Sequence, residues 1–249
     1  MMKRIFSMPQ LSRLVTALPL LLLTATASSV NAGQSWQHEG KPAQLVELFT
    51  SEGCSSCPPA DKYLSKLQDN TELWKEVIPL AFHVDYWNYL GWKDKFSHPS
   101  FSQRQRIYQS YGAASSVYTP GFFVDGKEWQ GYFYRQNLPK ASEKPADKLT
   151  LTRNGSLFDL AYEGEGKYSA HLALLAMDET TQVRSGENRG KSLKHDFIVL
   201  EKQQMTSQNN WHFNLSSIPE NADAVAVWLT RVDGFKPVQT VAGFLEKNR

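Results

Sequence analysis

The sequence predicts an α/β domain followed by an all-β, sandwich-like domain. An apolar, β-prone segment leads through a short loop into Cys54-Ser55-Ser56-Cys57, and a helical pattern begins directly after it, which predicts the first part. From residue 146 onwards the hydrophobic period changes to two and few helix signals remain, which predicts the second part. We therefore expect residues 33–145 to form the α/β domain and residues 146–249 to form the β domain.

The composition is that of a folded protein. Of 249 residues, 41% are hydrophobic and 12% are aromatic, which provides a sizeable core and excludes a disordered or collagen-like chain. The formal net charge of +2 argues against a dedicated nucleic-acid or membrane-surface binder. We therefore expect no nucleic acid among its partners.

The N-terminal residues 1–32 have the pattern of a secretory signal peptide. Lys3 and Arg4 belong to a positive n-region, an apolar run follows at 14–23, and Val30-Asn31-Ala32 offers small residues for cleavage at its end. The apolar run is shorter than the about 20 residues that a bilayer requires, although a retained anchor remains an alternative. We expect an exported protein, periplasmic or secreted, that is not inserted in a membrane after cleavage.

Export places the two cysteines in an oxidising compartment, where a disulfide is expected. A bridge between Cys54 and Cys57 closes almost no loop, so as a staple its contribution would be near the low end of about 0–5 kcal/mol. A structural zinc site would need two more ligands close by, and the chain has no other cysteine. We therefore predict a redox-active pair, with a structural bridge as the alternative.

The elements around the cysteines assign a role to each of them. Residues 44–50 are expected to form a strand, and a helix over roughly 58–69 opens at Pro58-Pro59. Cys54 would then lie at the helix N-terminus, where free N–H groups and the helix dipole stabilise a thiolate. Because the thiolate is the attacking species in disulfide exchange, Cys54 is the predicted nucleophile and Cys57 the predicted resolving thiol.

Further elements are predicted from the hydrophobic repeat and from the residues that typically begin or end a helix or strand. A second helix is expected from Pro99 to Tyr111, with Ser97 or His98 as its cap and Gly112 as its stop. In the second part of the chain, strands are expected at 168–177, 192–201, 211–215, 224–231 and 238–245.

A second informative element lies at residues 117–126. Thr119-Pro120 precedes an apolar strand, and Asp125-Gly126 is a hairpin signal. A strand, a Cys-x-x-Cys motif and a helix, followed later by Thr-Pro, an apolar strand and a tight hairpin, resemble the thioredoxin superfamily, especially its periplasmic Dsb-type branch. The resemblance implies a thioredoxin-like first domain, a cis bond before Pro120 that lies against the cysteines, and substrate backbone bound by Thr119. An ordinary trans turn is the alternative.

A narrower resemblance covers most of residues 45–205. Four blocks are similar to a secreted thioredoxin-like family catalogued as a domain of unknown function: residues 46–61, 81–94, 116–126 and 185–190. This family brings no settled substrate, so the resemblance implies none.

Glu47 is the predicted proton acceptor for Cys57. It lies seven residues before Cys54 on the strand that leads to it. A buried carboxylate with a raised pKa suits this task. A strand-edge glutamate without such a role is the alternative.

An aromatic-rich turn follows the predicted strand that ends near His83. Ligand crevices in open α/β sheets lie at the carboxyl ends of strands. We therefore predict that Trp87 binds substrate, with core packing as the alternative for the aromatic residues. The thioredoxin resemblance implies that the Thr-Pro segment, that is, Tyr118, Thr119 and Pro120, binds substrate as well. His83 and Asp85 alternate along the chain, and we interpret His83 as a core residue and predict no metal site.

These patterns predict an exported thiol–disulfide oxidoreductase that acts on protein or small-molecule thiols and disulfides and needs no cofactor. Two rival hypotheses remain: Cu(I) binding, since soft thiolates suit a soft ion, and a non-catalytic, thioredoxin-like binding scaffold. Ser55-Ser56 matches neither the Gly-Pro of reducing thioredoxins nor the Pro-His of strong oxidants, so the direction of electron flow stays open.

Overall fold

A computed structural model of the chain describes Met2 and residues 33–247. Apart from Met2, the predicted signal peptide lies outside these residues. Residues 33–247 belong to one compact unit. None of the described helices has the length and apolarity needed to cross a membrane.

The described part of the chain contains two α-helices and fourteen strands. The helices are α1 (Pro58–Ser65) and α2 (Pro99–Ser110). The strands are β1 (Gln34–Gly40), β2 (Gln44–Thr50), β3 (Val77–His83), β4 (Gly121–Val124), β5 (Lys127–Glu128), β6 (Ala146–Asn154), β7 (Leu157–Tyr162), β8 (Tyr168–Ala176), β9 (Glu179–Gln182), β10 (Ser192–His195), β11 (Ile198–Ser207), β12 (Asn210–Asn214), β13 (Ala224–Arg231) and β14 (Pro237–Phe244). Short 3₁₀ turns occupy Lys66–Asp69, Asn88–Leu90 and Gln130–Tyr134.

One mixed sheet of eight strands dominates the fold, in the order β14-β13-β8-β11-β3-β2-β4-β5. Strands from before and after residue 145 meet within it, because β11 pairs in parallel with β3 through Ile198 and Ala81. A four-stranded sheet has the order β1-β6-β7-β12, and β9 and β10 form a separate two-stranded ribbon. The predicted N-terminal and C-terminal strands therefore share one sheet.

Two apolar cores stabilise this arrangement. One surrounds β2, β3 and β4 and includes Leu48, Phe82 and Phe122, all fully buried. The other lies between the four-stranded sheet and the β8–β13 part of the large sheet, where Phe158 and Leu160 pack with Leu172 and Val227. The burial of β7 alternates along the strand, as expected when one face is solvated, whereas β8 is buried along its whole length.

The predicted fold class, an α/β thioredoxin-like domain followed by a sandwich-like β domain, is wrong. The described chain is mostly β-sheet, with large multi-stranded sheets and only two α-helices. Two physical features account for the difference. Strands β8, β11, β13 and β14 extend the sheet of β2–β5, and the segment after β5 forms only the 3₁₀ turn Gln130–Tyr134 where a further helix would be needed.

Several local predictions are confirmed. The helix after the cysteines begins at Pro58, although its predicted end is a 3₁₀ turn, Lys66–Asp69. α2 ends at Ser110, and His98 is its N-cap. Asp125 and Gly126, with φ of 50° and 76°, form the two-residue turn between β4 and β5, because both positions of such a turn need positive φ.

Candidate functional site

The two cysteines form a disulfide in the loop between β2 and α1. Cys54 and Cys57 have Cα atoms 5.4 Å apart and are 1% and 0% exposed. The two residues between them, Ser55 and Ser56, are exposed. The loop therefore presents its tip to solvent and keeps its sulfur atoms covered.

The first turn of α1 begins at the second cysteine. Cys57 is the N-cap residue, and its carbonyl oxygen accepts hydrogen bonds from the N–H groups of Ala60 at 2.8 Å and Asp61 at 3.0 Å. Proline follows directly at Pro58, a position where its missing N–H has no cost. Pro58 and Pro59 carry no N–H, and the N–H groups of Ala60 and Asp61 are bound to Cys57, so the positive end of the helix dipole is what favours a thiolate here when the disulfide is reduced.

Trp87 connects the disulfide loop to the Thr119–Pro120 segment. Its indole Nε1 donates a hydrogen bond to Thr119 Oγ1 at 2.7 Å, and the Thr119–Pro120 bond is cis. A Cβ atom on Gly53 would lie 3.0 Å from Trp87 Cβ, so only glycine fits there without a shift. The structure thus brings three of the predicted substrate-binding residues together beside the cysteine loop.

Tyr118, the fourth predicted residue, has hydrogen-bond partners within the protein. Its hydroxyl donates to Glu128 Oε1 at 2.8 Å, and its carbonyl oxygen accepts from Gln105 Nε2 at 2.6 Å. Burial and the hydrogen bond to Glu128 raise the pKa of Tyr118. The backbone of Tyr118 therefore supports the Thr119 segment, and its side chain faces Glu128.

A segment from the second half of the chain, Ser185–Gly190, lies over the disulfide loop. The buried Asn188 donates its side-chain amide to the carbonyl oxygens of Glu52 at 2.8 Å and Cys54 at 2.9 Å. Glu187 Oε2 accepts the N–H of Ser55 at 3.0 Å. The sequence singled out this segment as a block of resemblance, but no local signal indicated its contact with residues more than 130 positions earlier.

Five buried ionisable side chains lie on the α1 side of the cysteine loop: Glu52, Asp61, His83, Asp94 and His195. His195 Nε2 lies 3.5 Å from Glu52 Oε1, and His195 Nδ1 lies 3.9 Å from Asp61 Oδ2. Asp94 Oδ2 pairs with His83 Nδ1 at 2.7 Å, and the two imidazole rings are 5.0 Å apart. We call these five residues the acid–histidine cluster.

Several atoms of the acid–histidine cluster have no hydrogen-bond partner in the described part of the chain. They are Glu52 Oε1, His83 Nε2 and both ring nitrogens of His195. Buried polar atoms without a partner are uncommon in folded proteins, which singles out this cluster. Residues 33–247 contain no group of three or more His, Cys, Asp or Glu side chains arranged to hold a metal ion.

The cluster holds a carboxyl group whose pKa is near neutrality. Burial raises the pKa of Asp61 to about 7, an effect that Asp94 and Glu52 reinforce and that His195 and Thr50 oppose. Burial also acts to raise the pKa of Asp94, but His83 and the N–H groups of Glu52 and Phe96 bring it below its ordinary value. Asp61 is therefore the residue in this region suited to exchange a proton near pH 7.

Glu47 lies on the other face of the sheet. Its carboxylate accepts hydrogen bonds from Arg104 Nε at 2.9 Å and from the hydroxyl of Tyr108, both on α2. Its cross-strand partner Phe123 stacks on Tyr108, whereas α1 packs on the opposite face through Tyr63 and Phe122. The structure does not bring Glu47 to the helix that starts at Cys57.

The comparisons with known proteins place the chain in a family. Residues 45–230 match the family described as "Protein of unknown function (DUF1223)". The chain belongs to the DUF1223 family. The predicted family of unknown function is thus confirmed, and the DUF1223 match contains both cysteines, Trp87, Thr119 and the acid–histidine cluster.

Two solved structures are similar to this DUF1223 chain. An Agrobacterium tumefaciens protein from a structural genomics consortium is 26% identical, with a TM-score of 0.60 over 84% of this chain and 96% of that one. HBP35 of Porphyromonas gingivalis is 15% identical, with a TM-score of 0.48 over 82% of this chain and 76% of that one. No curated protein matches the chain.

Proposed function

We propose that this protein is an exported thiol–disulfide oxidoreductase whose redox centre is the Cys54–Cys57 couple. The observation that carries the proposal is the position of this disulfide, in a solvent-facing loop at the start of α1 and beside Trp87 and Thr119. A bridge across three positions restricts the unfolded chain very little, so stability alone gives weak reason for it. A redox role, in contrast, explains why the disulfide lies at the start of a helix and beside an exposed loop tip.

The exchange follows the usual steps for a dithiol. A substrate thiolate attacks Cys54 Sγ, the Cys54–Cys57 bond breaks, and its electron pair leaves with Cys57 as a thiolate that takes up a proton. A second substrate thiolate then attacks the substrate sulfur of the mixed disulfide and releases Cys54 as a thiolate. The substrate dithiol is oxidised by two electrons and the protein disulfide is reduced. The reverse sequence reduces a substrate disulfide.

Asp61 is the proton donor and acceptor for Cys57 in this proposal. The two residues are four positions apart across the first turn of α1, which places them on one side of the helix. A carboxyl group with a pKa of about 7 is close to half-protonated at neutral pH and can work in both directions. Two further side chains continue the proposed proton relay from Asp61. His195 lies 3.9 Å from Asp61, and Glu52 lies 3.5 Å from His195. In this proposal Asp61, and not Glu47, is the proton acceptor for Cys57.

Substrate would bind along the surface made by Ser55, Ser56, Trp87 and Thr119. This surface carries an exposed loop tip and a half-buried indole, which suit an extended peptide or a small thiol. Because Cys54 is 1% exposed and Asn188 binds its carbonyl oxygen, we expect attack at its sulfur to require a movement of the loop or of the Ser185–Gly190 segment. The proposed partners are protein or small-molecule thiols and disulfides.

An exported location is part of the proposal. It rests on the basic n-region, the apolar run 14–23 and the small residues before position 33. In a periplasmic or extracellular space the resting form of the couple is the disulfide.

Two single-cysteine variants test the proposal. Reduced Cys57→Ser keeps Cys54 and lacks the resolving thiol, so with a disulfide-containing protein such as insulin it should accumulate a mixed disulfide seen by intact mass. Cys54→Ser is the matched control and should trap little, because in this proposal Cys54 is the cysteine that exchanges with substrate and Cys57 only resolves the mixed disulfide. Absence of trapping by both variants, or equal trapping, contradicts the assigned roles. Stoichiometric Cu(I) binding by reduced wild-type protein without any exchange would favour the metal-binding alternative.

A further inference from the structure

A cavity of about 320 Å³ opens on the α2 face of the large sheet. Its walls come from α2, from β8, β11 and β13, and from the turn 232–235 between β13 and β14. A volume near 300 Å³ is at the small end of the range for small-molecule sites. We call it the α2 cavity.

Two cationic side chains line the α2 cavity, and one of them is paired with a buried acid. Arg104 and Lys202 both line it, with Arg104 Cζ at 5.5 Å and Lys202 Nζ at 5.9 Å from the ring centroid of Trp228. Glu47 is the nearby buried acid, and its oxygens are taken by Arg104 and Tyr108. In residues 33–247 no carboxylate lies within 4.0 Å of Lys202 Nζ. One positive charge in this group is therefore uncompensated.

A buried histidine adds an unused polar atom. His171 is 5% exposed, lines the cavity and stacks on Trp228 with ring centroids 5.0 Å apart and planes 9° apart. Its Nε2 lies 3.2 Å from Thr230 Oγ1, whereas its Nδ1 has no hydrogen-bond partner among the described residues. When the Thr230 hydroxyl donates to Nε2, Nδ1 carries the ring proton, and this nitrogen is buried, with less than 1 Å² of its surface accessible.

The remaining walls are apolar. Ile107 and Tyr111 of α2 and Phe235 of the turn line the cavity, and the exposed Asp233 lies at its rim. We infer that the α2 cavity is a binding site for a small organic carboxylate, held by Lys202, with its apolar body against Phe235 and Ile107. A monoanion neutralises the one uncompensated charge, whereas a second negative charge would face Asp233 and Glu47.

The groups facing Lys202 make binding dependent on pH. They are Arg104 of α2, Glu47 of β2 and His171 of β8, and Asp233 lies at the rim. Burial, with repulsion from Arg104, lowers the pKa of Lys202 to about 7, while Glu47 opposes this shift. Burial, with repulsion from Lys202 and Arg104, holds the pKa of His171 well below its ordinary value, so that its ring stays neutral. A bound carboxylate restores the ammonium, so binding above neutral pH takes up a proton.

Calorimetric titration of the full protein with benzoate tests the site, with neutral benzamide as the isosteric probe and inorganic phosphate as a second anion. We expect wild-type protein to bind benzoate in preference to both. Lys202→Gln should weaken benzoate binding by about tenfold or more, because a charge-assisted hydrogen bond is lost. Lys167→Gln, which removes one exposed lysine away from the cavity, should leave binding unchanged.

Proton uptake gives a second measurement that a change in folding alone would not imitate. At about pH 8, titrations in two buffers of different ionisation enthalpy should show close to one proton taken up per benzoate by wild-type protein. Lys202→Arg should keep binding and lose the uptake, because a guanidinium is always protonated. Three results overturn the inference: equal binding of benzoate and benzamide, binding of phosphate without benzoate, or unchanged benzoate affinity and proton uptake in Lys202→Gln.

Discussion

The side-chain amide of Asn188 donates a 2.9 Å hydrogen bond to the carbonyl oxygen of Cys54, although 134 positions separate the two residues. The same amide binds the carbonyl oxygen of Glu52, and Lys191 Nζ donates to Asn188 Oδ1 at 2.8 Å. One buried side chain therefore joins the segment Ser185–Gly190 to the cysteine loop. We therefore expect the accessibility of the disulfide to depend on this junction.

Asn188→Ala should increase the rate at which dithiothreitol reduces the disulfide. The substitution removes both hydrogen bonds and leaves two carbonyl oxygens without their partner, at a cost of about 1–3 kcal/mol in the free energy of unfolding. Thiol titration over time measures the reduction rate. Asn137→Ala, at an exposed position, is the matched control and should behave as wild type. An unchanged reduction rate in Asn188→Ala would show that the segment does not limit access.

Asp61→Asn should change how the free energy of unfolding depends on pH. The pKa of Asp61 is about 7 in the folded protein and 3.8 as its ordinary value, so between these pH values the folded state binds more protons than the unfolded state. The wild-type free energy of unfolding therefore falls as pH rises through this range, by roughly 2–4 kcal/mol. Asp61→Asn should lack most of this fall, whereas the exposed Asp69→Asn should retain it. Urea unfolding of the oxidised proteins across about pH 4 to pH 8 measures the difference.

The same Asp61→Asn variant should slow disulfide exchange. Loss of a positioned proton donor and acceptor lowers rates by about 10²-fold. Stopped-flow measurement of exchange with insulin, in parallel with the Asp69→Asn control, tests this. A wild-type rate and pH profile in Asp61→Asn would remove Asp61 from the proposed mechanism.

Glu47→Gln should destabilise the protein without changing the pH profile of exchange. Glu47 is fully buried and pairs with Arg104, so neutralising it leaves a guanidinium without its partner and costs about 3 kcal/mol. The exposed Glu220→Gln should cost little. Chemical unfolding measures the first effect and exchange kinetics the second. A pH profile shifted by Glu47→Gln and unaffected by Asp61→Asn would restore Glu47 as the proton acceptor.

Trp87→Phe should impair exchange with a protein substrate more than exchange with a small thiol. The variant keeps an aromatic ring beside Gly53 and loses the hydrogen bond to Thr119. We expect kcat/KM for insulin to fall about tenfold and the reaction with dithiothreitol to be unchanged. Tyr89→Phe changes a nearby residue that is 79% exposed and should have no effect. Equal losses with both substrates would indicate a general disturbance of the loop.

Local structure was predictable where the signal is carried by neighbouring residues. The helix start at Pro58, the cap at His98 and the Asp125-Gly126 turn follow from residue types whose backbone preferences are strong. The order of strands in the large sheet was not predictable, because the pairing of Ile198 with Ala81 joins residues far apart in the sequence and leaves no local pattern. Even so, the unbroken burial of Tyr168–Ala176 fits its apolar sequence, which is typical of a strand covered on both faces.

The candidate site was predictable in part for the same reason. Cys54, Cys57 and Thr119 stand in recognisable motifs, whereas Asp61 looks like an ordinary acid in the first turn of a helix. The alternation of side chains along a strand did argue against Glu47 as the proton acceptor. It places Glu47 and Thr50 on opposite faces of β2, and Thr50 is the residue that contacts Asp61. His195 and Asn188 reach the site from the second half of the chain, and no spacing in the sequence indicates that approach.

The reduction potential of the Cys54–Cys57 couple tests the central claim most directly. The protein is equilibrated in glutathione buffers of graded composition, and the thiols at Cys54 and Cys57 are counted by mass after alkylation. A catalytic couple should have a potential between roughly −120 and −270 mV, the span of known catalytic dithiols. A disulfide that stays intact below about −300 mV behaves as a structural bridge and would contradict the proposed function.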